Sequence, residues 1–78
     1  MVFEKMCELI SEQFGVDVGS ITMETSLKEN LGADSLDLVE LTMAVEEEFE
    51  VGEVQDEELE HMTTVGDIVN FVNRKMGE

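Results

Sequence analysis

A chain of 78 residues with 42% hydrophobic content has room for one small domain, spanning 1–78, and it holds no apolar run long enough to cross a bilayer. Its 20 acidic residues against 4 Lys and Arg give a formal net charge of -16, which repels nucleic acid and anionic lipid. A single cysteine and a single histidine exclude an internal disulfide and any site built from several thiolates.

The chain starts Met1-Val2-Phe3-Glu4-Lys5 without the basic, apolar and small-residue series of a secretion signal, so the expected location is the cytoplasm. From 2 to 14, Phe3, Met6, Cys7, Ile10 and Phe14 recur at three- and four-residue steps and predict a first helix, with Gly15 as its stop. Cys7 falls on the apolar face and reads as a small buried hydrophobe, because Lys5 is the one cation near it in sequence. Residues 16–33 are rich in Gly, Ser, Thr and Asn and predict a long loop, pinned to the core by Val16, Val18, Ile21, Leu27 and Leu31. Asp34 and Asp37 have capping-box spacing ahead of a second helix running to about Phe49. Residues 51–55 break the pattern, residues 56–60 predict a short third helix, and Thr63 or Thr64 caps a last one. In that last helix Val65, Ile68, Val69, Val72 and Met76 share a face, and Asp67 can close a capping box with Thr64. With no persuasive strand, the fold class is all-α: a small four-helix bundle, three helices long and one short, with a long first loop.

At about 100° per residue, Leu38, Leu41, Val45 and Phe49 lie on one side of the second helix, and Leu36, Val39 and Met43 on the opposite side. Glu40, Glu47 and Glu50 interleave the Leu36 side and Glu46 flanks it, which marks it as the solvent face. An apolar stripe ringed by carboxylates suits docking to a groove rimmed with Lys and Arg, and the net charge favours fast, salt-sensitive encounters with such partners. Two bland readings stand beside this one: the loop covers the stripe, and the acidity serves solubility alone.

Ser35 opens the same helix, after a Gly-Ala pair that leaves it accessible. A nucleophilic serine needs a base, and His61 lies in an acidic stretch far along the chain, so a catalytic dyad is disfavoured. A phosphodiester at Ser35 would sit at the positive end of the helix dipole, near unsatisfied N–H groups. Asp34 and Asp37 would repel it, so those carboxylates must serve another purpose.

The run Leu31-Gly32-Ala33-Asp34-Ser35-Leu36-Asp37-Leu38-Val39-Glu40-Leu41 resembles the modification motif of acyl carrier proteins of bacterial fatty acid synthesis. The likeness continues through Met43-Ala44-Val45-Glu46-Glu47-Glu48-Phe49-Glu50 and resumes at 56–58, 63–65 and 70–73. It implies a carrier, not an enzyme: a phosphopantetheinyl transferase moves 4'-phosphopantetheine from coenzyme A onto Ser35, and the arm's thiol holds acyl groups as thioesters. It also implies that Asp34, Asp37, Glu40, Glu46 and Glu47, with Leu36 and Met43, are read by fatty acid synthesis enzymes and acyltransferases with basic patches, the chain acting as a monomer. Val39 joins that surface through the stripe. Val45, Leu59, Met62 and Ile68 match the family's acyl pocket, and since positions 59 and 68 often hold smaller residues in relatives, a tighter or differently directed pocket is expected. The family commonly has a proline where this chain has Gln55, and residues 51–54 run one residue longer than usual, so the turn before the third helix is expected to differ in shape.

Rival readings are a specialised carrier for polyketide or other lipid acyl transfer and, from a different class, an acidic interaction module that is never modified. A calcium sensor fails because no loop has the required acidic spacing, and no specific metal site is expected.

Overall fold

Side-chain caps open the second and last helices, and a left-handed glycine closes the first. In the computed structural model, which describes residues 2–77, the helices are α1 (Val2–Phe14), α2 (Ser35–Phe49), α3 (Asp56–Glu60) and α4 (Val65–Gly77), with a 3₁₀ turn at Val18–Ser20. Among the described residues there is no strand, only an isolated antiparallel bridge between Ser26 and Thr64. The fold is therefore all-α, as its periodicity predicts.

Met6, Cys7 and Ile10 of α1 are buried and pack toward α2 and α4. Gly15 ends the helix in the left-handed conformation, φ 68, and its N–H reaches the Ser11 carbonyl at 2.8 Å. Burial pushes the Cys7 thiol above its ordinary pKa, and the nearby Glu4 charge adds to the effect, which leaves it an inert core group. On α2, Leu38, Leu41 and Val45 are buried, and Thr42 joins them by turning its hydroxyl onto the Val39 carbonyl at 2.9 Å.

The long connection is a folded element. Ile21 and Leu27 are buried and Val16 and Leu31 half-buried, as expected of pins. Val18 is not a pin: it is exposed, because the 3₁₀ turn around it satisfies its own backbone groups and turns Ile21, not Val18, inward. The loop then docks on the start of α4. Gly66 N–H donates to the Met23 carbonyl at 2.8 Å, Val65 N–H to the Thr25 carbonyl at 3.0 Å, and Leu27 N–H to the Thr63 carbonyl at 3.0 Å. The first two bonds satisfy helix-start N–H groups that otherwise lack partners, and the third satisfies a loop N–H.

The α4 cap combines both threonines with Asp67. Thr63 N–H and Oγ1 and Thr64 N–H all donate to Asp67 Oδ2, at 2.9, 2.8 and 3.0 Å, while Asp67 N–H reaches Thr64 Oγ1 at 3.2 Å. Val65, Ile68, Val69 and Val72 are buried, but Met76 is exposed with the rest of 73–77, because the last turn runs past the elements that cover the helix. Phe71 is buried instead, a core residue outside the predicted face.

Two consequences are measurable. A Cβ on Gly66 would stand 2.8 Å from the Met23 carbonyl oxygen, so Gly66→Ala must push the loop away from α4. We expect a loss of about 1–3 kcal/mol in urea unfolding; an unchanged midpoint and slope would show that the loop yields freely. Burial acts to raise the Asp67 pKa, but the hydrogen bonds from Thr63 and Thr64 outweigh it and hold the carboxyl below its ordinary value. Its stabilisation is therefore present above the unfolded value of about 3.9 and is lost as pH falls through the lower folded value. Asp67→Asn should melt lower than the parent near neutrality, and the two should converge in acid.

Candidate modification and docking site

Ser35 is the first residue of α2, and the α2 cap is what sets it there. Asp37 N–H donates to Asp34 Oδ1 at 2.9 Å and Asp34 N–H to Asp37 Oδ2 at 3.2 Å, a reciprocal box. The box gives both acidic flanks of Ser35 a structural role, since each carboxylate neutralises a backbone N–H of the helix start. Upstream, Gly32 adopts φ 66 and donates to the Lys28 carbonyl at 3.1 Å, and Ala33 N–H reaches the Leu27 carbonyl at 2.9 Å. Buried Ala33 and this turn bring the chain to Ser35 at a fixed angle.

Ser35 itself is exposed, and among the described residues its hydroxyl has no hydrogen-bond partner. His61 lies elsewhere: its N–H closes the end of α3 on the Glu58 carbonyl, and its side chain lines a groove with Asp67, Asn70 and Arg74. Among the described residues no base is hydrogen-bonded to the Ser35 hydroxyl.

A cleft of about 500 Å³ opens beside Ser35 between α2 and α3. Leu38 and Val39 form one wall and Leu59 and Met62 the other, with Lys28, Asp56, Glu60 and Thr63 at the polar edge. Of the four expected pocket residues, Leu59 and Met62 line this cleft, whereas Val45 and Ile68 lie in the core, both almost fully buried. The sequence does not mark Lys28, Asp56, Glu60 or Thr63 as neighbours of Ser35, Thr63 being expected only as a cap of the last helix. Lys28 carries a signal, being the one Lys or Arg between Lys5 and Arg74 in a strongly acidic chain; the others carry none for this site, since the fold alone brings them near Ser35.

The side of α2 turned away from the core presents Leu36, Val39 and Met43 at 66%, 40% and 59% exposure, with Val39 also forming the cleft wall, so the loop does not cover the stripe. Glu40 and Glu47 are exposed beside it, and Glu40 accepts a hydrogen bond from Gln13 Nε2 at 2.8 Å. Glu46 differs. It is half-buried, and its Oε2 accepts the Val54 N–H at 2.7 Å, clasping the α2–α3 connection. That connection turns sharply through Glu50 and Gly52, φ 53 and 84, and reaches α3 at Gln55, whose N–H donates to Glu58 Oε1 at 3.0 Å. A proline at 55 has no N–H to make this bond.

A family model described as "Phosphopantetheine attachment site" matches residues 4–72. An acyl carrier protein of Clostridium acetobutylicum is 54% identical over 72 residues, which cover 92% of each chain. The solved acyl carrier protein of Enterococcus faecalis superposes with a TM-score of 0.80 at 31% identity, covering 95% of this chain and 92% of that one. Fold and site thus define a carrier module, a protein on which other enzymes act. The chain belongs to the phosphopantetheine-attachment family and is an acyl carrier protein homologue, with a carrier role in fatty acid synthesis, covalently attached 4'-phosphopantetheine as its prosthetic group, and the enzymes of that synthesis as its partners. The site suits the group: it offers a free hydroxyl, the unbonded N–H groups of Ser35 and Leu36 at the helix start, and an adjoining cleft.

The Glu46 clasp has a local readout. A hydrogen bond to a carboxylate contributes about 1.5–3 kcal/mol, so Glu46→Ala should speed amide exchange at Val54 roughly tenfold or more while leaving Leu41 and Val45 protected. Equal exchange in parent and variant would show that the clasp does not hold the loop.

Proposed function

We propose that Ser35 is the residue to which 4'-phosphopantetheine is attached, and that the exposed face of α2 is the surface its partners read. The observation that carries this is the free Ser35 hydroxyl at the tip of the helix that also bears the unpartnered stripe Leu36, Val39 and Met43. In the loading reaction Ser35 Oγ forms the new bond to phosphorus, the phosphoanhydride of coenzyme A breaks, and the adenosine bisphosphate portion leaves. The Oγ proton passes to the phosphopantetheinyl transferase, since no base of this chain is bonded to that hydroxyl. Once attached, the group supplies a terminal thiol that holds acyl cargo as a thioester.

The protein's own residues do the rest. The apolar stripe buries itself in a partner's groove, and Asp34, Asp37, Glu40 and Glu47 around it meet the partner's Lys and Arg. Glu46 contributes mainly by shaping the neighbouring loop. A tethered arm beside a docking face raises the local concentration of cargo for each enzyme that binds, so chemistry stays with the partners. Acyl chains would lie first against Leu59 and Met62, and would reach Val45 and Ile68 only by parting α2 from the core beneath it, which fits a tighter pocket. We read the chain as a single carrier domain acting as a monomer in the cytoplasm. Among the described residues, no helix is long and apolar enough to cross a membrane.

The test is incubation with coenzyme A and a promiscuous phosphopantetheinyl transferase, followed by intact-mass measurement. The parent should gain one phosphopantetheinyl group, more slowly as salt rises, and Ser35→Ala should gain none. No gain in a folded parent would make the chain an acidic interaction module; a gain in Ser35→Ala would move the site elsewhere.

A further inference from the structure

The chain has 4 Lys and Arg against 20 acidic residues, so an uncommitted cation is unusual in it. Lys5 lies between Glu8 at 3.8 Å and Glu48 at 3.6 Å. Lys75 pairs with Glu58 at 3.9 Å and sits over the Phe71 ring at 5.6 Å. Arg74 lines the separate groove beside His61. Lys28 is exposed and, among the described residues, in no ion pair, yet it lines the same cleft as Ser35. The other ionisable groups lining that cleft are Asp56 and Glu60.

Its position is built into the fold. Leu27, immediately before it, is buried and hydrogen-bonded to Thr63 across the loop–α4 contact, and the Lys28 carbonyl takes the Gly32 N–H. Glu29 N–H donates to Ser26 Oγ at 3.1 Å, and Ser26 N–H to Asn30 Oδ1 at 2.7 Å. The backbone on both sides of Lys28 is thus held, while the four-carbon stem leaves its ammonium free to swing over the cleft mouth.

We propose that Lys28 is the counter-charge for the phosphodiester carried at Ser35, holding the root of the prosthetic arm toward the α2–α3 cleft. The proposal rests on Ser35 being the attachment residue. A phosphodiester there keeps a negative charge in a field that already repels it, since Asp34, Asp37, Asp56 and Glu60 surround the position and the whole chain is acidic. The α2 start supplies partial positive charge, but Asp34 and Asp37 oppose it within the first turn. Lys28 is the full positive charge on this side, and it stands on the cleft side of Ser35, so it biases the arm's root toward the cleft rather than along the Leu36 and Met43 face. Lys28 is then a positioning residue for the arm.

The experiment uses the loaded full chain, with loading established by intact mass, and records the phosphodiester 31P resonance in the parent, Lys28→Gln and Lys5→Gln. Glutamine keeps a polar head without the charge, and thermal melts establish that both variants fold. The expected result is a shifted 31P resonance in Lys28→Gln, with Lys5→Gln superimposable on the parent, and a matching change in the Lys28 ammonium 15N resonance when apo protein is loaded. Superimposable 31P spectra for the parent and Lys28→Gln, or the same shift from Lys5→Gln, would overturn the role of Lys28 while leaving Ser35 as the site. A parent that gains no mass overturns the Ser35 reading and this inference with it.

Discussion

The backbone exchange between the long loop and the start of α4 is the contact on which the site depends. A helix start leaves N–H groups without partners, and a loop crossing the core leaves carbonyls without them; here each solves the other's problem. Met23 and Thr25 carbonyls take the Gly66 and Val65 N–H groups, and Leu27 returns a bond to Thr63. With Leu27 driven into the core, residues 27–33 must turn back, and that turn delivers Asp34 and Ser35 to the start of α2. The same contact sets Thr63 and Met62 across the cleft from Ser35, so Ser35 and the far wall of the cleft are placed together. The closeness of Met23 to Gly66 leaves no room for a side chain there.

Charge is spent differently in different parts of the molecule. Near Ser35 and at the head of α4, Asp34, Asp37 and Asp67 are turned onto backbone N–H groups and act as caps. Glu46 and Glu58 do the same for the connection before α3 and for α3 itself. Glu40 and Glu47 stay exposed beside the apolar stripe, where they are available to a partner. A carrier must be recognised by several enzymes and hold on to none of them, and a small apolar stripe within a strong, screenable field suits brief, steered contacts.

Much of this was legible in the residues. The 3.6-residue spacing of Met6, Cys7 and Ile10, the cap pairs Asp34 with Asp37 and Thr64 with Asp67, and the break at Gly15 are local signals, and local signals survive any tertiary context that keeps the helix. The two faces of α2 were separable for the same reason, because periodicity distinguishes Leu38, Leu41 and Val45 from Leu36, Val39 and Met43. Where pattern alone misled, the cause was neighbours: Val18 in the loop and Met76 on the α4 face are apolar but stay 47% and 58% exposed, while Phe71 is enclosed from outside the expected stripe.

The sequence by itself determined the helices, the caps, the exposed serine at a helix tip and the acidic balance of the surface, since each depends on residues within a few positions of one another. Only the tertiary structure decided that Glu46 faces Val54, that Lys28 and Glu60 share a cleft with Ser35, and that Val45 and Ile68 lie in the core rather than along that cleft. The cleft joins residues 28, 35 and 60, which meet only once the loop has docked on α4, and the Glu46 bond spans a turn whose shape no local signal in the sequence sets.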